Sequence, residues 1–190
     1  MLQVYTGNGK GKTTAAIGLA IRSLGAGHRV YIMQFMKSLA YSEQKILQGF
    51  APQLLLRTTG KPCFLAREGM LSAAELAAWG DRVVVFPPGK PPADYVRLIE
   101  KGFQEVLDEI TVGRYGLVIL DEINTAFFFG LLQPAAFDAL LEVLPRGTEL
   151  VCTGRGAPDW LLEKADLITE MKEIRHYYSK GITARRGIEN

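Results

Sequence analysis

The sequence predicts an α/β fold in which a mostly parallel sheet is covered by helices on both faces. Short apolar runs alternate along the chain with longer segments whose apolar residues recur at helical spacing. This alternation is typical of strand–helix–strand units, which place successive strands parallel in one sheet. The runs are apolar throughout, as expected of strands that are buried on both faces.

The predicted strands are short runs rich in Val, Ile and Leu. They cover residues 2–6, 29–35, 54–58, 117–120, 149–153 and 167–171. Three longer segments are predicted to form helices, over residues 13–24, 94–112 and 135–144. The first helix meets Gly25 and Gly27 at its end and the third follows Pro134, and both features are common at helix ends.

The chain has 190 residues, which is the usual length of one domain. We therefore predict a single nucleotide-binding domain over residues 1–190. The segment 87–92 reads PPGKPP and predicts a rigid loop. Together with the residues before it, this loop predicts an insertion at about 72–93 that leaves the main sheet.

Composition and charge exclude several classes of function. The formal net charge is +2 and no basic stripe is evident, so we expect no nucleic-acid partner. No apolar run approaches the roughly 18 residues of a membrane span, and the first residues lack a signal-peptide pattern. The chain has two cysteines, too few for a disulfide framework, so a reducing cytoplasmic location is expected.

A glycine-rich stretch between the first predicted strand and the first predicted helix carries the strongest functional signal. It consists of Gly7, Asn8, Gly9, Lys10, Gly11, Lys12, Thr13 and Thr14. Backbone N–H groups in such a loop attract phosphate, Lys12 adds a full positive charge, and Thr13 adds a hydroxyl for Mg²⁺. The pattern predicts a phosphate loop (P-loop) that holds the triphosphate of ATP, on a RecA-like P-loop fold.

The loop departs from the usual pattern at one position. The pattern has Gly five residues before the Gly-Lys pair, where this chain has Thr6. We therefore expect the loop to differ in shape from that of an ordinary ATPase. Asn8 and Lys10 are expected to add contacts to the phosphates.

Two acids follow the strand predicted at 117–120. Asp121 and Glu122 stand at its carboxyl end, where they are expected to lie beside the phosphate loop. Carboxylates placed there can hold Mg²⁺ or Mn²⁺ directly or through water. We predict a divalent-cation site formed by Thr13, Asp121 and Glu122, and catalytic roles for Lys12, Thr13 and Glu122.

The chemistry of these residues leaves two uses of ATP open. In phosphoryl transfer, by an ATPase or a small-molecule kinase, a group such as Glu122 would orient the attacking water or hydroxyl at the γ-phosphate. In the other reaction a nucleophile attacks elsewhere on ATP and the phosphates leave together. An ATP-driven module that binds DNA or a protein partner is the least supported class, because the chain lacks a basic stripe.

The sequence resembles the P-loop class of ATP:corrinoid adenosyltransferases over most of its length. The resemblance rests on motifs in a fixed order: YTGNGKGKTTAA at 5–16, QFMK at 34–37, SE at 42–43, LDEIN at 120–124, TGRGAP at 153–158, ADLITEM at 165–171, His176, and GITARRGIE at 181–189. Thr6 in place of Gly is itself similar to the family pattern. A generic P-loop protein would not share this ordered set.

The resemblance implies a reaction and its participants. ATP would donate its 5′-deoxyadenosyl group to the cobalt of a reduced corrinoid, cob(I)alamin or cobinamide, and triphosphate would be released. The family also implies a reduced flavoprotein as electron donor and a homodimeric enzyme. Family members often carry an aromatic segment with a Trp that faces the corrin; here Phe64 is the match, and the Trp is replaced.

Several other residues have two interpretations. Asn124 and Arg155 are candidate nucleotide-binding residues, and each is also compatible with an ordinary structural or solvated position. Residues 127–129 are three phenylalanines, which belong either to the core or to the wall of an apolar corrin pocket. His176 is interpreted as a surface or core histidine rather than a catalytic one, and no function is assigned to Trp79.

Overall fold

The structure is a computed structural model that describes residues 1–177, 181–182 and 184–189. Its strands are β1 (Leu2–Thr6), β2 (Val30–Phe35), β3 (Leu54–Thr59), β4 (Phe64–Arg67), β5 (Val83–Phe86), β6 (Leu117–Asp121), β7 (Glu149–Thr153) and β8 (Leu167–Glu170). Its helices are α1 (Lys12–Gly25), α2 (Ser42–Gln48), α3 (Ala73–Trp79), α4 (Ala93–Thr111), α5 (Ile123–Phe129), α6 (Pro134–Val143) and α7 (Asp159–Leu162).

The main sheet has six strands in the order β3-β2-β6-β7-β1-β8. Every neighbouring pair in this sheet is parallel, so the carboxyl ends of the strands meet at one edge. β7 separates β1, which leads into the phosphate loop, from β6, which ends in the acidic residues. The parallel pairing and this strand order confirm the predicted RecA-like P-loop class of fold.

Alternation along the strands divides the core between the two faces of the main sheet. In β6, Leu117 and Ile119 pack in the cluster that includes α1, whereas Val118 and Leu120 pack in the cluster that includes α4. All four side chains are buried. Burial on both faces explains why the strand is a continuous apolar run in the sequence.

Six short elements are not predicted by the sequence. α2, α3 and α5 have seven residues each, while α7, β4 and β5 have four residues each. Such segments are too short to show a hydrophobic period. The segment predicted as an insertion, 72–93, contains α3, a 3₁₀ turn at Gly80–Arg82, and β5, which pairs with β4 in a separate two-stranded sheet.

Membrane insertion through a helix finds no support in the described ranges. Each helix there is too short or too polar to cross a bilayer.

Candidate nucleotide-binding site

A cavity of about 810 Å³, here called the main cavity, lies where the parallel strands end. Its wall takes residues 9–14 after β1, Lys37 after β2, Glu122 after β6 and Arg155 after β7. Ligands of open α/β sheets bind at this edge, and pockets of this size hold small molecules. The fold therefore brings most of the predicted site residues around one cavity.

The phosphate loop is shaped by its glycines. Gly7 has φ 92° and Gly11 has φ 115°, both in the left-handed region that disfavours residues with a Cβ. Gly9 serves a different need, because a Cβ there would lie 2.7 Å from the carbonyl oxygen of Met171. Its N–H donates to that oxygen at 2.6 Å, which ties the loop to the segment after β8.

The loop residues are not all placed alike. Lys10, Gly11, Lys12, Thr13 and Thr14 belong to the wall of the main cavity together with Gly9. Gly7 and Asn8 lie outside the described wall, and Asn8 is exposed. Phosphate contact by Asn8 stays a prediction that the cavity geometry does not favour.

Lys12 is largely buried at the start of α1, with 7% of its surface exposed. Its ammonium donates to the carbonyl oxygens of Gly7 and Gly9, both at 2.7 Å. An ammonium has three N–H donors, so one remains for a ligand in the cavity. Burial lowers the pKa of Lys12, and the carboxylate of Glu122 opposes that shift.

Asp121 is the most densely hydrogen-bonded residue that we describe at the site. Its Oδ1 accepts from the hydroxyls of Thr13 at 2.8 Å and Thr153 at 2.6 Å. Its Oδ2 accepts from the ammonium of Lys37 at 2.7 Å and the amide of Gln34 at 3.1 Å. Asp121 is 1% exposed, so these four donors satisfy a carboxylate that water does not reach.

The buried pair of Asp121 and Lys37 has a defined charge state. Burial would raise the pKa of Asp121, but the nearby ammonium of Lys37 and the hydroxyl donors outweigh burial and hold the pKa below its usual value. For Lys37, burial would lower the pKa, and the carboxylate of Asp121 outweighs it, so the pKa of Lys37 is raised. Both groups are therefore charged at neutral pH.

Glu122 is held beside the cavity by an unusual backbone conformation. Its φ is 62°, a left-handed value that is uncommon for a residue other than glycine. Its N–H donates to Thr153 Oγ1 at 3.0 Å, and its Oε2 accepts from Thr125 Oγ1 at 2.7 Å. The conformation turns the carboxylate away from β6 and into the cavity wall.

The donor set at this edge fits a divalent cation that takes few protein ligands. Within the described ranges, no group of three or more His, Cys, Asp or Glu residues is placed to hold a metal. Thr13 and Glu122 both line the cavity, whereas the oxygens of Asp121 are already paired. Magnesium in nucleotide sites is commonly bound by one or two protein groups plus phosphate and water, so the residues present fit it. Asp121 would act through its hydrogen bond to Thr13 or through water.

Asn124 lies between two strand ends in this geometry. It is fully buried, and its amide donates to the carbonyl oxygens of Tyr5 at 3.2 Å and Gly154 at 3.3 Å. It thus joins the ends of β1 and β7 rather than the described cavity wall, and a direct nucleotide contact is not favoured. Arg155 does contribute to that wall, and its backbone N–H is fixed by Thr125 Oγ1 at 3.1 Å.

An aromatic pair, one exposed ring and one half-buried ring, forms another part of the main cavity. The rings of Phe64 and Trp79 lie 4.3 Å apart between centroids, and both contribute to the wall. Phe64 is 54% exposed, a large open apolar surface for a residue beside a polar loop. The sequence indicates no role for Trp79, because 14 residues without a motif lie between it and Phe64 and only the fold brings the two rings together.

The three phenylalanines of α5 belong mainly to the core. Phe127 and Phe129 are buried, with 9% and 5% of their surface exposed. Phe128 is half-exposed and lies under the guanidinium of Arg67 at 4.3 Å. All three lie outside the described wall of the main cavity, so the corrin-pocket interpretation is not supported.

His176 lies in the wall of the main cavity, with its ring 4.6 Å from that of Tyr177. Thr183, in the motif GITARRGIE at 181–189, falls outside the described residues.

A glycine-rich loop between a buried strand and a helix, with a buried aspartate one strand removed, defines a P-loop nucleotide-binding protein. The chain belongs to the family of ATP:corrinoid adenosyltransferases BtuR/CobO/CobP, whose sequence model matches residues 1–190. Members of this family are transferases that adenosylate corrinoids, which confirms the family predicted from the motifs.

Named relatives agree with this family. The chain is 32% identical to a corrinoid adenosyltransferase of Pseudomonas aeruginosa, over 100% of this chain and 83% of the relative. It is 32% identical to one from Sinorhizobium sp., over 100% of this chain and 79% of the relative. It is 29% identical to the corrinoid adenosyltransferase CobA of Salmonella typhimurium, over 98% and 83%. A KaiC-like protein from Pyrococcus horikoshii matches 92% of this chain and 74% of its own at TM-score 0.46 and 14% identity, too low to bear on function.

Proposed function

We propose that this protein transfers the 5′-deoxyadenosyl group of ATP to the cobalt of a reduced corrinoid, cob(I)alamin or cobinamide, and releases triphosphate. The family supplies the class of reaction. That the nucleotide is ATP, and that the corrinoid is cob(I)alamin or cobinamide, are parts of the proposal.

One observation carries the proposal: the main cavity joins a polyphosphate cradle to an exposed aromatic surface. Residues 9–14 and Lys12 offer donors to a triphosphate, and Phe64 with Trp79 offers an apolar face in the same space. A small polar substrate of a phosphatase or kinase would make few favourable contacts with such an apolar face. A flat, largely apolar macrocycle would bind to it, because aromatic side chains dominate the binding of such ligands.

The reaction needs positioning and charge stabilisation rather than a side-chain nucleophile. Co(I) of the corrinoid supplies an electron pair that forms the Co–C5′ bond, and the C5′–O bond breaks with its electrons leaving on triphosphate. Charge that develops on the leaving group would be stabilised by the loop N–H groups, Lys12 and Arg155. Holding C5′ against cobalt is the remaining task of the cavity, and orientation of this kind is a large part of catalysis.

A divalent cation, Mg²⁺ or Mn²⁺, forms part of the proposed site. Bound near Thr13 and Glu122, it would neutralise charge on the triphosphate. Thr13 Oγ1 donates its proton to Asp121 at 2.8 Å, so it would bind the cation through its lone pairs, which accept from the ammonium of Lys37 at 3.2 Å in this structure. Glu122 holds its carboxylate in place through Thr125 at 2.7 Å.

The proposal extends to partners and location. Co(I) is strongly reducing, so a reduced flavoprotein is proposed as the electron donor. A homodimer in the cytoplasm is proposed on the resemblance to the family.

The decisive experiment identifies the phosphate product. The protein is incubated with ATP, Mg²⁺ and chemically reduced cobalamin, and phosphorus NMR is recorded. We expect triphosphate, together with a light-sensitive visible spectrum that reports the new organocobalt bond. Omitting the corrinoid should stop both signals.

The competing reaction, attack at the γ-phosphate, gives a different phosphate product in the same experiment. Attack at the γ-phosphate would break the β–γ bond and release ADP. Release of ADP as the single product, at the same rate without corrinoid, would replace the proposal with an ATPase or kinase.

A further inference from the structure

Lys37 has a role that the family motifs do not state. It follows β2 directly, and its side chain is 11% exposed. Its ammonium donates to Asp121 Oδ2 at 2.7 Å and to Thr13 Oγ1 at 3.2 Å. It also lies 5.1 Å from the centre of the Tyr41 ring, within range of a cation–π contact.

The backbone at this point is constrained by two independent features. Met36 has φ 58°, a left-handed value that costs free energy for a residue with a long side chain. Gly60 lies so close that a Cβ on it would come 2.4 Å from the backbone nitrogen of Lys37. A strained residue and an obligatory glycine both serve to place Lys37, which argues that its position matters.

The ammonium of Lys37 takes the place that a divalent cation at Thr13 would need. Thr13 Oγ1 donates its proton to Asp121 Oδ1 at 2.8 Å, so it binds a cation through its lone pairs. Lys37 donates to those lone pairs and neutralises Asp121. A metal ion and the ammonium would both be positive and would compete for the same oxygen atoms.

We propose that Lys37 is a built-in counter-cation that holds the divalent-cation position in the absence of nucleotide and moves to the polyphosphate when metal and nucleotide bind together. This inference rests on the proposed metal site at Thr13 and Glu122. Lys37 lines the main cavity, and a lysine ammonium on a flexible stem can exchange one set of acceptors for another.

The consequence is that metal binding depends on nucleotide. A free divalent cation would have to enter beside a buried positive charge that has no new acceptor. A nucleotide brings phosphate oxygens that can accept from the displaced ammonium, which removes the repulsion. The site would therefore take the metal with the nucleotide and reject it alone.

The test measures Mn²⁺ binding to the full chain by electron paramagnetic resonance, with and without ATP and in the absence of corrinoid. In the unsubstituted protein we expect weak Mn²⁺ binding that ATP strengthens greatly. In Lys37→Met, Mn²⁺ alone should bind at least about tenfold more tightly, because the competing charge is gone. Lys45→Met is the control, since it removes one charge from an exposed position of α2 outside the described cavity wall. Its Mn²⁺ affinity, with and without ATP, should change less than about threefold.

Two results would overturn the inference in distinguishable ways. Equal Mn²⁺ affinity in the unsubstituted protein and Lys37→Met, with normal strengthening by ATP, would reject the role of Lys37 and keep the metal site. Absence of Mn²⁺ binding in every protein even with ATP would reject the metal site and the inference together. If Lys37→Met does not fold, as judged by circular dichroism, Lys37→Gln replaces it, because glutamine still donates to Asp121 and carries no charge.

Discussion

Lys12 shows how one side chain can serve the loop and the ligand together. Two of its donors hold the carbonyl oxygens of Gly7 and Gly9, so the ammonium fixes the loop before any phosphate arrives. The same placement explains why its pKa is lowered, because burial disfavours the charged form by more than the carboxylates of Glu122 and Asp121 favour it. A phosphate that accepts from the remaining donor would reverse part of that cost.

Lys12→Ala should abolish productive use of ATP while the protein stays folded. Removing a close charge from a polyphosphate typically costs about 2 kcal/mol or more, which is roughly thirtyfold in affinity. Calorimetric titration with ATP measures the loss, and thermal unfolding checks the fold. Lys45→Ala is the control, because Lys45 is exposed on α2 and outside the described cavity wall. Near-normal turnover of a folded Lys12→Ala protein would refute the phosphate-loop assignment.

The phosphate loop packs against a segment that the motif alone does not predict. The loop is packed on its outer side by the segment after β8, through Gly9 and the carbonyl of Met171. In the sequence, Gly9 looks like one more flexible residue of a phosphate loop. A Cβ on Gly9 is excluded by Met171 and Lys172, which follow β8 far along the chain, so the sequence does not reveal this constraint.

Gly9→Ala should weaken ATP binding and lower the melting temperature. Its new Cβ would meet backbone atoms of Met171 and Lys172 at 2.7 to 2.9 Å, which forces the loop and the segment after β8 apart. In Gly18→Ala, by contrast, the Cβ meets nothing within 4 Å in the middle of α1. Gly18→Ala should raise stability by roughly 0.5–1 kcal/mol, as alanine does in helices. Thermal unfolding of the two variants gives the comparison, and equal effects would refute the packing argument.

The aromatic part of the main cavity wall forms only when separate elements of the molecule come together. Phe64 begins β4 and Trp79 ends α3, so the small second sheet and its helix carry the surface to the phosphate loop. The sequence predicted Phe64 from the family and no role for Trp79. The ring of Trp79 lies beside that of Phe64, although Trp79 belongs to the segment predicted as an insertion.

Phe64→Ala should raise the KM for the corrinoid by about tenfold, the loss expected for an aromatic contact of roughly 1.5 kcal/mol. ATP affinity should stay unchanged, because the phosphate loop is untouched. Val84→Ala is a matched control, since Val84 is exposed on β5 of the same small sheet and outside the described cavity wall. Unchanged corrinoid kinetics in Phe64→Ala would remove Phe64 from the proposed corrin face.

The amino-acid sequence predicts the parts of this molecule that depend on local pattern. The six strands of the main sheet and helices α1, α4 and α6 were all predicted within one or two residues of their observed bounds. Most of these elements are long or largely buried and leave a strong apolar signal, although β8 is short and exposed. The misses are contacts made by tertiary structure. The pairing of Lys37 with Asp121 and the hydrogen bond of Asn124 to Tyr5 depend on which strand lies beside which, and no spacing in the sequence encodes that order.

The strand order also has a consequence for how the protein folds. β1 begins the chain, yet its neighbours are β7 and β8 near the other end, and the N–H of Leu2 donates to a carboxylate 164 residues away. Loop closure over such a span delays the pairing of strands. The phosphate loop that follows β1 can therefore become rigid only after the last strands have docked. The ability to hold a nucleotide should therefore appear during folding only after β7 and β8 have paired with β1.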